Sequence, residues 1–261
     1  MTRREILASF VAAGAASARA QTASTPKSAF YELRYYRLRT DRADQTKRTI
    51  AYLTGTYLPA VHRAGAGPVG VFNSVIAPSS PFLLCLTSYA SLAAMESVRE
   101  GLTTDAAYQK GLAEYNSGAD PGFMRMESCL LRAFDFFPSI VVAPADQKRS
   151  GRIFELRTYE SLNETMLRTK IKMFGSGEIG IFRRCGLDPI FFGEAIVGAN
   201  QPQLTYMVAF DNQAAREKAW AAFQADAEWQ KLRSVPEFAA PGVVINISNS
   251  LVGTVAGSEV T

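Results

Sequence analysis

The chain has 261 residues, 48% of them apolar, with 28 basic and 24 acidic side chains and a net charge of +4. That is enough for a sizeable core in one large domain or two small ones. Without the first twenty residues, 25 basic and 23 acidic groups remain; so even a balance, with no Lys/Arg block, gives nucleic acid no electrostatic hold.

Residues 1–20 read as an export signal. Thr2-Arg3-Arg4-x-Ile6-Leu7 is similar to a twin-arginine pattern, "LASFVAAGAASA" is a short apolar run, and "ARA" before Gln21 is a small-x-small cleavage site. The run is shorter than the roughly 20 residues that span a bilayer. An ordinary secretory signal would lead to the same place, so the mature chain is expected in the periplasm or outside the cell, with no transmembrane segment left. Residues 21–29 form a linker.

"FYELRYYRLRT" (30–40) then reads as a strand. Side chains alternate between faces with period two, so Tyr31, Leu33 and Tyr35 share one face and Glu32, Arg34 and Tyr36 the other. A helix over 41–64 follows, ending at Gly65, with Pro68 blocking its continuation. "GVFNSVIA" and "FLLCLTSY" are two strands joined by the turn "APSSP". A long helix over 91–116 and a last strand over 122–134 complete the unit.

The same order then recurs. Glu32-Leu33-Arg34-x-Tyr36 falls on Glu155-Leu156-Arg157-x-Tyr159 at a shift of 123. At a shift of 121, "HRAGAGP" falls on "RRCGLDP" and "TTDAAYQKGL" on "QADAEWQKLR", and Leu130 falls on Leu251. Segments matching in order at a near-constant offset are an internal duplication. Each copy has the β-α-β-β-α-β order of the ferredoxin-like unit. The second copy runs through a strand at 152–160, a helix at 161–185, the strands "IFFGEAIVG" and "LTYMVAF", a helix at 212–234 and a strand at 242–253.

The fold class is therefore α+β: two tandem ferredoxin-like repeats, 30–138 and 152–253, joined by a linker at 139–151 and followed by a loose tail at 254–261. One such unit covers one sheet face with helices and leaves the other bare, so the two sheets are expected to pack face to face. On this reading Leu33 and Leu156 point at the helices. The polar stripes point into the space between the sheets.

The aligned residues resemble the NIPSNAP family. Its domains open on a "YELR-x-Y"-like strand, keep a helix that ends before a glycine, and carry a late aromatic in a "D-x-x-W" setting. Here these are Tyr31–Tyr36 and Phe154–Tyr159, Gly65 and Gly186, and Asp105-x-x-Tyr108 and Asp226-x-x-Trp229. The resemblance spans nearly all of residues 30–253. It implies a dimeric α/β barrel assembled within one chain, a fold shared with small monooxygenases and haem-using chlorite dismutases. It implies no agreed chemistry for exported bacterial members.

The candidate pocket consists of Glu32, Arg34, Tyr36, Glu155, Arg157 and Tyr159. Each glutamate can pair with the arginine two residues on, leaving guanidinium donors for a carboxylate or carbonyl ligand. The alternative, and the preferred reading, is that these are buried, mutually satisfied pairs that fix the sheets. His62, the single histidine, lies at a helix end where the second copy has Arg183. It reads as a helix-end residue rather than a haem ligand. No cofactor and no metal are expected. Cys85, Cys129 and Cys185 are expected to stay free: in the sheet order 4-1-3-2 the first strand separates the strands of Cys85 and Cys129. Trp229 and Tyr108 read as core aromatics.

Two functions stay open, and no catalytic residue is assigned. One is a binding or assembly module that uses the inter-sheet cavity for a small apolar or aromatic ligand, with a homo-oligomer as a further candidate partner. The other is a cofactor-independent monooxygenase or isomerase, with Arg34 or Arg157 polarising a carbonyl and a Tyr or Glu moving a proton.

Overall fold

A computed structural model describes residues 28–144 and 151–261; residues 1–20, where an export signal is expected, residues 21–27 and linker residues 145–150 lie outside the described residues. The first copy runs β1 (Phe30–Arg37), α1 (Ala43–Tyr52), a π-helical turn (Leu53–Tyr57), α2 (Leu58–Arg63), β2 (Val69–Ile76), β3 (Phe82–Tyr89), α3 (Leu92–Thr104), α4 (Ala106–Asn116) and β4 (Arg125–Ala133). The second repeats it: β5 (Ile153–Glu160), α5 (Glu164–Met173), a π turn (Phe174–Glu178), α6 (Ile179–Arg184), β6 (Asp188–Val197), β7 (Gln203–Phe210), α7 (Gln213–Ala225), α8 (Ala227–Arg233) and β8 (Asn246–Thr254).

Within each copy the strands are ordered β4-β1-β3-β2 and β8-β5-β7-β6, all antiparallel. This is the order the ferredoxin-like unit predicts. The two sheets also meet at their edges, β2 with β8 and β4 with β6, and close an eight-stranded barrel. Closure pairs the strand edges that an open sheet would leave exposed. β1 lies between the strands of Cys85 and Cys129, and all three cysteines are free thiols. No helix among the described residues is long and apolar enough to cross a membrane.

The faces are the reverse of the sequence expectation. Leu33 and Leu156 point into the barrel, where residues of both copies, including Tyr31, Phe72, Phe154 and Phe191, form one core. Tyr36 and Tyr159 belong to the two outer cores between sheet and helices. Glu32 and Glu155 likewise meet side chains from the helices, Arg99 on α3 and Arg216 and Trp220 on α7. Period-two alternation sorts residues into two faces but does not say which faces inward. A closed barrel interior is filled by side chains, and here the apolar set fills it. The polar stripe goes where helix-borne donors can meet it.

Each helix expected as one piece is divided. The first contains the π turn, which inserts one residue into the α register; in the second copy Gly177 takes φ +133° there, a conformation open mainly to glycine. The second helix breaks at Asp105 and Asp226, which adopt extended backbone and cap α4 and α8 by accepting from Tyr108 N and Trp229 N. These aspartates also pair with Arg63 and Arg184. The Arg and Asp positions that match between the copies are thus partners of one another.

The tail expected to be loose is packed. Val255 N and Glu259 N donate to Val71 O and Val69 O, and Val69 N and Val71 N donate to the Glu259 and Ser258 side chains. Val260 is fully buried in the barrel core. His62, exposed on α2, meets Glu259 at 2.8 Å.

Candidate functional site

Glu155, the third residue of β5, is fully buried and accepts four donors. Arg157 Nη1 (2.6 Å) and Asn249 Nδ2 (3.0 Å) reach Oε1; Arg216 Nε (2.7 Å) and Trp220 Nε1 (2.8 Å) reach Oε2. Burial alone would raise this carboxyl. The hydrogen bonds from Arg216, Asn249 and Trp220 and the charge of Arg157 outweigh it and hold the group down to about 2. Glu32 is its counterpart, accepting from Arg34 (2.9 Å to each oxygen) and, at 3.2 Å, from Tyr89, Arg99 and Ser128. Burial is again outweighed, chiefly by Arg34, and its carboxyl lies below the ordinary value. Both glutamates tie sheet to helices.

Arg157 is less completely engaged. Its Nη1 serves Glu155, its Nε is buried without a partner, and Nη2 has none among the described residues. It stacks on Trp220, 4.6 Å from the ring centroid. It lines a pocket of about 1010 Å³ between the second copy's sheet and helices, together with Tyr159, Trp220, Phe223, Trp229 and Phe238. Residues 239–244 form part of its wall, tied down by Ser161 Oγ to Val243 O and Leu162 N to Gly242 O. Trp229 is 9% exposed and its Nε1 has no partner either. The wall carries Arg157, Lys170, Arg216 and Arg233 against only Glu178 and Glu217. Aromatic walls with an excess of cations suit a flat ligand that offers acceptors.

Lys170 and Glu178 lie against the same pocket. Both are almost wholly buried, and Lys170 Nζ donates to the two carboxylate oxygens at 2.9 and 2.7 Å. The ammonium sits 4.3 Å from the Phe174 ring centroid and 5.6 and 5.7 Å from those of Tyr159 and Trp229.

The first copy fills the corresponding space. At the repeat offset, Thr49 stands for Lys170, Tyr52 for Met173, Tyr57 for Glu178 and Tyr115 for Pro236. Tyr115 hydrogen-bonds Thr49 (2.9 Å) and stacks on Tyr52 at 4.3 Å. α4 has 11 residues and carries Tyr115 inward, whereas α8 has 7 and ends at Arg233, three positions before Pro236. Proline cannot continue a helix. One substitution thus removes both the plugging ring and the turn that carried it.

Of the six residues read from the sequence, Arg157 and Tyr159 line the pocket and Glu155 anchors Arg157 behind it. Glu32, Arg34 and Tyr36 are brought together under the first copy's helices, with Arg34 Nη1 3.5 Å from the Tyr36 hydroxyl. None of the six lines the inter-sheet opening, a barrel-mouth cavity of about 370 Å³ with Leu33, Tyr35, Phe82, Leu156 and Thr205 among its walls. Sequence reasoning missed Lys170, Glu178, Arg216 and Trp220. The signal was the charged pair standing where the other copy has Thr49 and Tyr57. Among the described residues no group of three or more His, Cys, Asp or Glu could hold a metal ion.

Solved structures share this architecture. A Lactobacillus acidophilus protein, provisionally called a monooxygenase, superposes with a TM-score of 0.55 at 8% identity, over 87% of this chain and 94% of that one. An anthrone oxidase-like protein superposes at 0.50 with 11% identity, over 87% and 91%. These are likenesses of fold, that of the dimeric α/β barrels. A NIPSNAP-like domain protein from Burkholderia xenovorans is 19% identical, covering 40% of this chain and 86% of that one at a TM-score of 0.35. No curated protein matches. The NIPSNAP family profile matches residues 31–138 and again 154–252. The chain belongs to the NIPSNAP family and carries its domain twice in tandem.

Proposed function

We propose that this is an exported small-molecule-binding protein whose second NIPSNAP domain holds a flat aromatic ligand bearing a carboxylate or carbonyl oxygen. The observation that carries this reading is a single pocket walled by Trp220, Phe223 and Trp229, in which Arg157, Lys170, Arg216 and Arg233 outnumber Glu178 and Glu217. Ligand pockets commonly combine apolar walls with a few convergent polar groups. Export rests on the twin arginines, the apolar run and the cleavage site before Gln21; a purified mature protein retaining residues 2–20 would contradict it.

The chain has two tryptophans, Trp220 and Trp229, and both line this pocket, so tryptophan fluorescence reports on it alone. Titration with 2-naphthoate should give saturable quenching. The neutral analogue 2-naphthalenemethanol should bind about tenfold or more weakly, the worth of a charge-assisted hydrogen bond. Equal response to both, or none at millimolar probe, refutes the reading. Catalysis in the same pocket is a second reading, favoured by the buried Lys170–Glu178 pair.

A further inference from the structure

We propose that Glu178, held by Lys170, is a proton-transfer group facing the pocket of the second copy, and that the site enolises aryl ketones or aryl 2-oxo acids. This rests on the binding reading above and adds a reaction to it.

The fold does not require the pair. The first copy builds the same helix, π turn and helix with Thr49 and Tyr57 at these positions. A buried ion pair can usually be replaced by apolar groups without loss of stability, so its presence in one copy alone points to the pocket it lines. The local backbone also serves it. Glu178 closes the π turn directly after Gly177, whose φ of +133° lets the chain swing the carboxylate inward. Such turns occur often at functional sites. Burial raises the Glu178 carboxyl above its ordinary value, although Lys170 and Arg157 pull it back. A base that must also return the proton works best in that condition.

The reaction needs no further reagent. The Glu178 carboxylate takes a proton from the carbon next to the substrate carbonyl, and the electrons of that C–H bond become the new C=C bond. The carbonyl π electrons move to oxygen, giving an enolate stabilised by the positive charge of Arg157 on the pocket wall. The protonated Glu178 then returns its proton to the same carbon or, in a β,γ-unsaturated substrate, to the far carbon, which completes an isomerisation. Lys170 is a positioning residue, fixing the carboxylate through two hydrogen bonds.

The test uses phenylpyruvate in D2O, with benzylic deuterium uptake followed by NMR and binding by tryptophan quenching. The protein should raise exchange about 100-fold over buffer, the usual scale of acid–base catalysis. Glu178→Gln should lose that acceleration and still quench. Because it leaves Lys170 without a counter-charge, Lys170→Met/Glu178→Gln removes both charges together and should behave alike. Lys170→Met should lower exchange, and Lys170→Arg should restore it. Quenching by phenylpyruvate with exchange at the buffer rate overturns the proposal and leaves the binding reading intact, as does full exchange in the double variant. Absence of quenching removes the binding reading, and the proposal with it.

Discussion

The Glu155→Gln variant tests whether this carboxylate holds the second copy together through its charge. The substitution keeps shape but replaces an acceptor of four hydrogen bonds by an amide, which must turn an N–H toward one of the donors. Disrupting a buried charged pair from one side typically costs about 3–5 kcal/mol, so that is the expected loss at pH 7. The diagnostic part is its pH dependence. In the folded protein the carboxyl ionises near about 2 rather than at 4.5, chiefly because Arg216, Asn249, Trp220 and Arg157 overcome its burial. At about 1.4 kcal/mol per pH unit the difference is worth roughly 3 kcal/mol. Since the folded value is the depressed one, this stability is complete above pH 4.5 and disappears as pH falls through 2. Urea melts of wild type and variant at pH 7, 5, 3 and 2 should give a gap that is constant down to about pH 5 and then closes by about 3 kcal/mol. A gap that stays constant to pH 2 would mean that Glu155 is held by shape alone.

Arg34→Ala should destabilise more than Arg157→Ala in urea melts. Glu32 loses its two shortest bonds with Arg34, while Glu155 keeps Arg216, Trp220 and Asn249; about 3–5 kcal/mol is expected against about 1–2. Asp226→Ala removes the cap of α8 and the partner of Arg184 and should cost about 1–2 kcal/mol, raising hydrogen exchange in residues 227–233 ahead of the rest; uniform exchange would contradict the capping role. Thiol labelling of the unfolded, unreduced protein should count three free cysteines; a count of one would reveal a bridge and break the strand order.

The fold was legible because duplication writes the same spacing twice. "YELRYY" and "FELRTY" locate the central strands, and Gly65 and Gly186 locate the helix ends, where both adopt left-handed backbone. Which face of β1 and β5 turns inward was not legible. Alternation is symmetric between faces, and the donors that settle it, Arg99, Arg216 and Trp220, lie more than sixty residues away in sequence from the glutamates they serve. The π turns were hidden because one extra residue barely disturbs an apolar periodicity. The tail looked loose because it is short, yet Val260 is an interior residue that only the closed barrel could reveal. At the site, Arg157 and Tyr159 were found through their strand motif. Lys170 and Glu178 were not, because reading the repeat for its matches passes over the places where the copies disagree.

Those disagreements explain how one copy could acquire a pocket. If two identical chains formed this barrel, every substitution that hollowed one half would hollow the other as well. The ring cluster of Tyr52, Tyr57 and Tyr115 could then not be traded for Met173, Glu178 and Pro236 in one place only. Covalent duplication removes that coupling. The first copy keeps a filled outer core, in which Tyr115 binds both Thr49 and Tyr52. The second gives up that filling for a shortened α8, a buried ion pair and two unpartnered donors. Its sheet stays in place because β2 and β4 of the first copy close the barrel against β8 and β6. Both halves contribute to the barrel interior, so a pocket beneath the helices of one half leaves that shared core intact.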